Sequence, residues 1–397
     1  MALAGLRVLD LADEKASFCS KLLGDMGAEV IKVEPPRGDP SRWIGPFWRG
    51  APHPEQSLSF WYNNTSKLGI TLNLESKPGQ EIFRRLSERI DVIVETSPPG
   101  YLESLGLGYD GLSQINPSLI MVSVTGFGQS GPYREYNSCD LVASAMGGQM
   151  YVCGASDTPP LKPYGQQSYY AASLFAAIGV LLALRERKHS GRGQHIDVSL
   201  QEAVAATLEH VMVRYFHEGM VSKRQGSRYW NGSFCLLPCK DGYIALSIHI
   251  QWQTLVEWLD SEGMASDLTG EEWQKEEYRI QHLDHILEIL GHWTRTHTTA
   301  ELLEPGQLMH FPWAPVASPE KVANSPQLKA RDFFVSLAHP EAKARFIYPG
   351  APYRFSRSPW NIQRRAPLIG EHNTRVYHQE LGFSQEKLNE LSSRNVI

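Results

Sequence analysis

The strongest constraint in this chain is the alternation of short β-type runs with helical text over residues 1–130. Leu6–Leu11, Glu29–Glu34, Leu68–Leu74, Asp91–Glu95 and Leu119–Val124 are apolar runs of strand length. Ser17–Met26 and Gly79–Arg89 have helical spacing between them, with Ile82, Phe83 and Leu86 on one face of the second. Strands separated by helices need crossover connections, and these impose a mostly parallel sheet covered on both faces. The fold class expected is α/β, with a Rossmann-like parallel sheet. Further on, Ala143–Leu208 reads as mostly helical, broken by the turn Ser190–Gly193 and the strand His195–Leu200. Asp241-Gly242 opens a strand at Tyr243–Ile248, and Gln251–Leu303 turns helical, polar and Trp-rich. Proline and glycine then thicken from Pro305 to Pro367, as in a long connection, before a last helix at Ser384–Ser393. The expected division is 1–220 for the first part of the large domain, 221–330 for a smaller α+β domain with linkers, and 331–397 for a return segment.

At 397 residues the chain can form more than one core. Its 43 acidic and 38 basic residues give a net charge of −5, so neither nucleic acid nor an anionic membrane surface is an expected partner. The opening text lacks a basic stretch leading into an apolar run, and five cysteines are too few for a disulfide framework. A reducing cytoplasm is the expected location, where the sequons at Asn63, Asn64 and Asn231 carry no meaning. Tyr169–Leu184 is 16 residues without a charge, short of the roughly 20 a spanning helix needs, and it is rich in small residues. It is expected to be a helix buried in a large core, not a membrane span.

Several familiar chemistries fail on spacing. The turn after the first strand is Ala12-Asp13-Glu14-Lys15-Ala16, without glycine and with two carboxylates. A dinucleotide's pyrophosphate needs glycines there for close backbone approach. Cys235 and Cys239 have no second ligand pair for zinc, and His210 and His217 form no HExxH pattern, so no metal site is expected. Neither G-x-S-x-G nor a phosphate loop is present. What stands out is Thr125-Gly126-Phe127-Gly128-Gln129-Ser130-Gly131-Pro132-Tyr133, directly after a strand. Glycines at a strand's carboxyl end mark a ligand loop in open α/β sheets, or turn formers alone. Asp140 follows it by seven residues.

The series GLRVLDL (5–11), GDMGAEVIKVE (24–34), SLGLGYDGLSQINPSLI (104–120), VTGFGQSGPY (124–133) and SGRGQHIDVSLQEA (190–203) resembles the family III CoA-transferases of formyl, carnitine and benzylsuccinate type. The likeness continues through PWAPVASPE (312–320) and GAPYRFSRSP (350–359) to IGEHN (369–373). It implies two subunits interlocked like links of a chain, with no tightly bound cofactor and CoA thioesters as substrates. It also implies an Asp nucleophile that captures an acyl group as an anhydride and then CoA as a thioester. The resemblance points to Lys15, Ala16, Arg37, Lys67 and Leu72 as CoA-binding positions; Lys15 and Arg37 read equally as solvated charges.

At the nucleophile the chain departs from the pattern. Counting back from Ala183-Leu184 and Arg187 places Ser168-Tyr169 where the family has Gly-Asp, and no Asp or Glu lies between Asp157 and Glu186. A phenol, with an ordinary pKa near 10, is a weak substitute. The family's pocket text reads Glu95-Thr96-Ser97-Pro98-Pro99-Gly100, while basic residues expected near Ser104 and at Leu68 are missing. Three accounts follow. The chain is an Asp-lacking subunit supporting a homologous Asp-bearing partner, most like the benzylsuccinate-type enzymes; or it acts alone through Asp140; or it is a non-catalytic CoA-binding or regulatory homologue.

Overall fold

The structure, a computed structural model, describes residues 1–229, 232, 234–248 and 250–397; the sequon at Asn231 lies outside the described residues. The chain forms two compact units, one of Met1–Met150, Lys162–Val221 and Asp332–Ile397, the other of Tyr151–Leu161 and Ser222–Arg331.

In the first unit, β1 (Arg7–Leu11), β2 (Glu29–Glu34), β3 (Lys67–Thr71), β4 (Val92–Glu95), β5 (Ile120–Thr125) and β6 (His195–Ser199) form one sheet in the order β3-β2-β1-β4-β5-β6. Every neighbouring pair is parallel. Period-2 side chains divide its two faces. Val8, Val30, Val94 and Val122 pack with the helices Ser17–Asp25 and Gln167–Ser190. Leu9, Ile31, Ile93 and Met121 pack with Ile82, Phe83 and Leu86 of the helix Lys77–Ser87 and with Leu388 and Leu391 of the final helix, Gln385–Ser393.

All five residues of β3 are buried although it is an edge strand. The IGEHN text covers this edge. Gly69 N–H donates to His372 Nδ1 at 3.0 Å and Thr71 N–H to Asn373 Oδ1 at 2.9 Å, while His372 N–H donates to Gly69 O at 2.8 Å. Such cover removes the unpaired ladder groups of an edge. A Cβ on Gly69 would lie 2.7 Å from Pro367 Cβ, so the close approach requires glycine here.

Two stretches differ from expectation. Residues 153–166 hold no helix; Pro159, Pro160 and Pro163 interrupt the helical text there. The supposed connection from Pro305 to Pro367 contains the antiparallel hairpin β10 (Phe334–His339) and β11 (Ala344–Pro349), whose strand signal was hidden among prolines and glycines. In the second unit, β7 (Phe234–Cys239), β8 (Gly242–Ser247) and β9 (Ala314–Pro315) form an antiparallel sheet. Its core is aromatic: Trp258 stacks on Trp313 at 5.7 Å and meets Trp293 edge-on at 4.9 Å. Cys235 and Cys239 share β7, and all five cysteines of the chain are free.

The Gln167–Ser190 helix is long and apolar enough to cross a membrane. One of its faces, with Ala172, Ala176, Val180 and Ala183, is buried against the sheet core. Its other face is exposed.

Charges fill the sheet toward the carboxyl ends of β1 and β2. Lys67 Nζ, wholly buried, donates to Asp10 Oδ2 at 2.7 Å, Asn64 Oδ1 at 2.8 Å and Ser17 O at 2.9 Å. Burial pulls its pKa down to about 8 against the attraction of Asp10. Removing one partner of a buried pair strands the other charge. Lys67→Met is therefore expected to destabilise the fold by about 3 kcal/mol or more. Urea unfolding measures this, and Lys67→Met combined with Asp10→Asn should lose less than Lys67→Met alone.

Candidate active site

A cleft of about 730 Å³ opens at the carboxyl ends of the strands, lined from the ends of β1 through β5 and by the segment Arg134–Ser138. It straddles β1 and β4, where the strand order reverses, the usual ligand position in a doubly wound sheet. Its size suits a small-molecule ligand.

The cleft floor rests on ion pairs. Arg42 grips Glu34 with two nitrogens, at 2.6 and 2.8 Å, and both residues are buried. Lys32 Nζ donates to Ala12 O at 2.8 Å and pairs with Asp39 at 3.3 Å. Burial opposes the charge on Lys32, but Asp39, Asp10 and Glu34 outweigh it and hold the ammonium above its ordinary value.

The CoA-binding positions implied by resemblance separate in space. Lys15, Arg37 and Leu72 line the cleft. Ala16 is buried in the core beneath it. Lys67 requires a correction: its three ammonium protons already face three protein oxygens, so it is not available to a phosphate. Five carboxylates and three cations line the cleft. Lys15 pairs with Asp13, and Arg134 pairs with Glu135 at 2.6 Å. Arg37 is exposed and has no ion-pair partner among the described residues. A polyphosphate would have to draw Lys15 and Arg134 from their acids. Arg134 was missed in sequence, although it follows the glycine-rich loop directly.

Tyr169 is 5% exposed, and its phenol oxygen accepts the Asp140 backbone N–H at 3.0 Å. Burial, then the nearby Glu14 and Asp13, push the phenol well above its ordinary pKa. It is therefore neutral near pH 7. Burial and Asp13 also raise the Glu14 carboxyl. Asp140 and Tyr169 come together, but neither lines the cleft. Asp140 Oδ1 accepts from Ser168 N–H at 3.0 Å and Ser168 Oγ at 2.5 Å, and Oδ2 lies 2.6 Å from Lys162 Nζ. The carboxylate thus clasps the start of the Asp140–Met146 helix to the start of the Gln167–Ser190 helix. Among the described residues, no group of three or more His, Cys, Asp or Glu side chains is placed to hold a metal ion.

Glu95 is 3% exposed at the end of β4. It accepts the Ser97 N–H at 2.6 Å and a hydrogen bond from Ser123, whose Oγ meets His195 Nε2 at 2.8 Å. This ties the cleft-lining turn Thr96–Pro99 to β5 and β6. Burial pushes the Glu95 carboxyl up to about 7, against the bonds from Ser123 and Ser97. Only tertiary burial reveals this group.

A model of CoA-transferase family III matches residues 3–373. The chain is 35% identical to a subunit of succinyl-CoA:(R)-benzylsuccinate CoA-transferase from Thauera aromatica, covering 97% of this chain and 95% of that one. It is also 35% identical to the beta subunit of succinyl-CoA–L-malate CoA-transferase from Chloroflexus aurantiacus, covering 100% and 98%. A crystal structure of a CaiB/BaiF family protein from Brucella suis matches with a TM-score of 0.86 at 29% identity, over 95% of this chain and 98% of that one. The chain belongs to CoA-transferase family III, whose substrates are CoA thioesters.

Glu95 yields a pH prediction. Its folded pKa of about 7 exceeds the ordinary 4.5, so the unfolded chain gives up this proton first as pH rises. This group's contribution to stability is full below about 4.5, falls as pH rises through the interval, and is lost above about 7. Glu95→Gln should gain stability relative to the parent between pH 4.5 and 7, by denaturant unfolding at each pH.

Proposed function

We propose that this chain is the non-nucleophilic subunit of a heteromeric CoA-transferase. The complex moves CoA from a dicarboxylic acyl-CoA, such as succinyl-CoA, to an organic acid. The observation that carries this reading is Tyr169: at the family's nucleophile position stands a buried phenol whose oxygen is engaged by Asp140 N–H. A neutral phenol is a poor attacking group, and its ester with an acyl unit offers none of the ready exchange of a carboxylic anhydride.

In this reading the partner's Asp carboxylate attacks the donor thioester and releases CoA thiolate, forming an acyl anhydride. The thiolate then attacks the aspartyl carbonyl, releasing the donor acid and leaving an aspartyl–CoA thioester. The acceptor carboxylate repeats the two steps in reverse order, so the Asp is regenerated and no atom is lost. This chain supplies the fold that completes the complex.

Two observations support a partner. The relatives from Thauera aromatica and Chloroflexus aurantiacus are themselves designated subunits. Leu174, Phe175, Ile178, Leu181 and Leu182 form an exposed stripe along the Gln167–Ser190 helix, and Val213 and Phe216 are exposed on the helix Glu209–Glu218. A stripe of large apolar side chains marks an interaction surface. A homologous Asp-bearing subunit, interlocked with this one, is the occupant we assign to it. The Thauera relative makes a benzylsuccinate-like acid our choice of acceptor class. Five free thiols fit a reducing cytoplasm. Self-sufficient catalysis by Asp140 is the weaker reading, because its Oδ1 is held by Ser168, its Oδ2 lies against the Lys162 ammonium, and it does not line the cleft. A CoA-binding role without turnover is the remaining one.

The test is turnover and trapping. The chain alone should show no CoA exchange between succinyl-CoA and an acceptor acid, and a co-purifying homologue with Gly-Asp at the matching helix start should restore it. Borohydride added during turnover should reduce an aspartyl thioester in the homologue and modify no carboxylate here. A homodimer of this chain that turns over, or a reduced Asp140, overturns the proposal.

A further inference from the structure

Ile93 and Met121 belong to the apolar face of the parallel sheet that packs on the helix Lys77–Ser87. Strand alternation puts Glu95 and Ser123 two residues further along on that same face. The register sets Glu95 opposite Ser123 and Met121 opposite His195. Three polar side chains therefore cross three neighbouring strands in a row: Glu95 on β4, Ser123 on β5 and His195 on β6. Glu95 and Ser123 are each 3% exposed. His195 is half-buried on the edge strand and stacks on Tyr109, with ring centres 5.6 Å apart. Ser123 Oγ donates to Glu95 and lies 2.8 Å from His195 Nε2. A hydroxyl has one proton to give. With that proton spent on the carboxylate, Ser123 can only accept from His195, so Nε2 carries the ring proton. Glu95 Oε2 also accepts Ser97 N–H at 2.6 Å.

Protonating Glu95 reverses this order. Ser97 N–H still needs an acceptor, so the carboxyl keeps its C=O there and turns its new O–H toward Ser123. Ser123 then donates to His195 Nε2, which accepts only when the ring proton sits on Nδ1. The change balances as a relay. One proton enters at His195 Nδ1, the Nε2 proton passes to Ser123 Oγ, and the proton of Ser123 passes to Glu95. We propose that Ser123 and His195 are positioning residues for the cleft-lining turn Thr96–Pro99, which they hold through Glu95 by a proton relay running to the β6 edge of the sheet. Above the Glu95 titration, at about 7, Ser97 N–H is held by a carboxylate; below it, by a neutral carbonyl, a weaker acceptor. Glu103, from the helix Tyr101–Ser104, opposes ionisation of Glu95. At the other end, Arg192 and Asp110 act on Tyr109, and Asp197 is engaged by Gln129 N–H. The relay operates in the free chain, whether or not turnover requires a partner.

The test is nitrogen NMR of the full chain, with His195→Phe identifying the His195 signals. At about pH 8 the parent should show a protonated Nε2 and a bare Nδ1. Glu95→Gln mimics the protonated carboxyl: its C=O takes Ser97 N–H and its amide N–H faces Ser123. The His195 proton should therefore sit on Nδ1 in this variant at the same pH. On a Ser123→Ala background, Glu95→Gln should leave the His195 tautomer unchanged. The Ser97 amide signal reads the turn. Its titration midpoint should lie at about 7 in the parent. It should rise by roughly 0.5–1 pH unit in Ser123→Ala and by less in His195→Phe. His195→Gln, whose amide still donates to Ser123, should bring the parent midpoint back. The same tautomer in parent and Glu95→Gln overturns the relay. So does one Ser97 midpoint shared by parent, Ser123→Ala and His195→Phe. The two readouts use different variants, so poor folding of one leaves the other decisive. The subunit reading is judged separately, by whether turnover requires both chains.

Discussion

The buried ion pairs along β1, β2 and the segment after β2 are the constraint on which the rest of the first unit depends. Asp10 with Lys67, Lys32 with Asp39, and Glu34 with Arg42 bury six charges, four of them on strands where a parallel sheet would ordinarily hold aliphatic side chains. Each charge removed from water is costly unless its partners satisfy it. Here every pair has additional hydrogen bonds, including the two-nitrogen grip of Arg42 on Glu34 and its third contact, to Pro367 O at 2.9 Å. That last bond also ties the return segment to the cleft floor. The network therefore sets the level of the floor and brings the covering IGEHN text against β3.

This arrangement also bears on the chemistry. Lys67 and Lys32, buried cations on β3 and β2, are directed at protein oxygens. At the rim, Lys15 and Arg134 are held by neighbouring acids, leaving Arg37 exposed. Tyr169 joins Ser168 and Asp140 in a clasp between two helix starts.

Much of this was legible in the chain. The strand–helix alternation forecast the parallel sheet, because strands buried on both faces and joined by crossovers have few other solutions. The glycine-rich text after β5 marked the ligand end. Other features were not legible, for particular reasons. The β10–β11 hairpin sits among prolines and glycines that read as loop. The titration of Glu95 depends on burial by strands that meet it from distant sequence. Lys67 resembled a phosphate ligand because its local text says nothing of Asp10, 57 residues away.

The covalent facts belong to the sequence alone: the order of motifs that makes this a family III chain, and the phenol at residue 169. No folding can supply a carboxylate that residue 169 lacks. Tertiary structure decided which charges face each other and which side of the long helix stays bare. Those outcomes turn on contacts between residues far apart in the chain, where the local periodicity that reveals strands and helices carries no information.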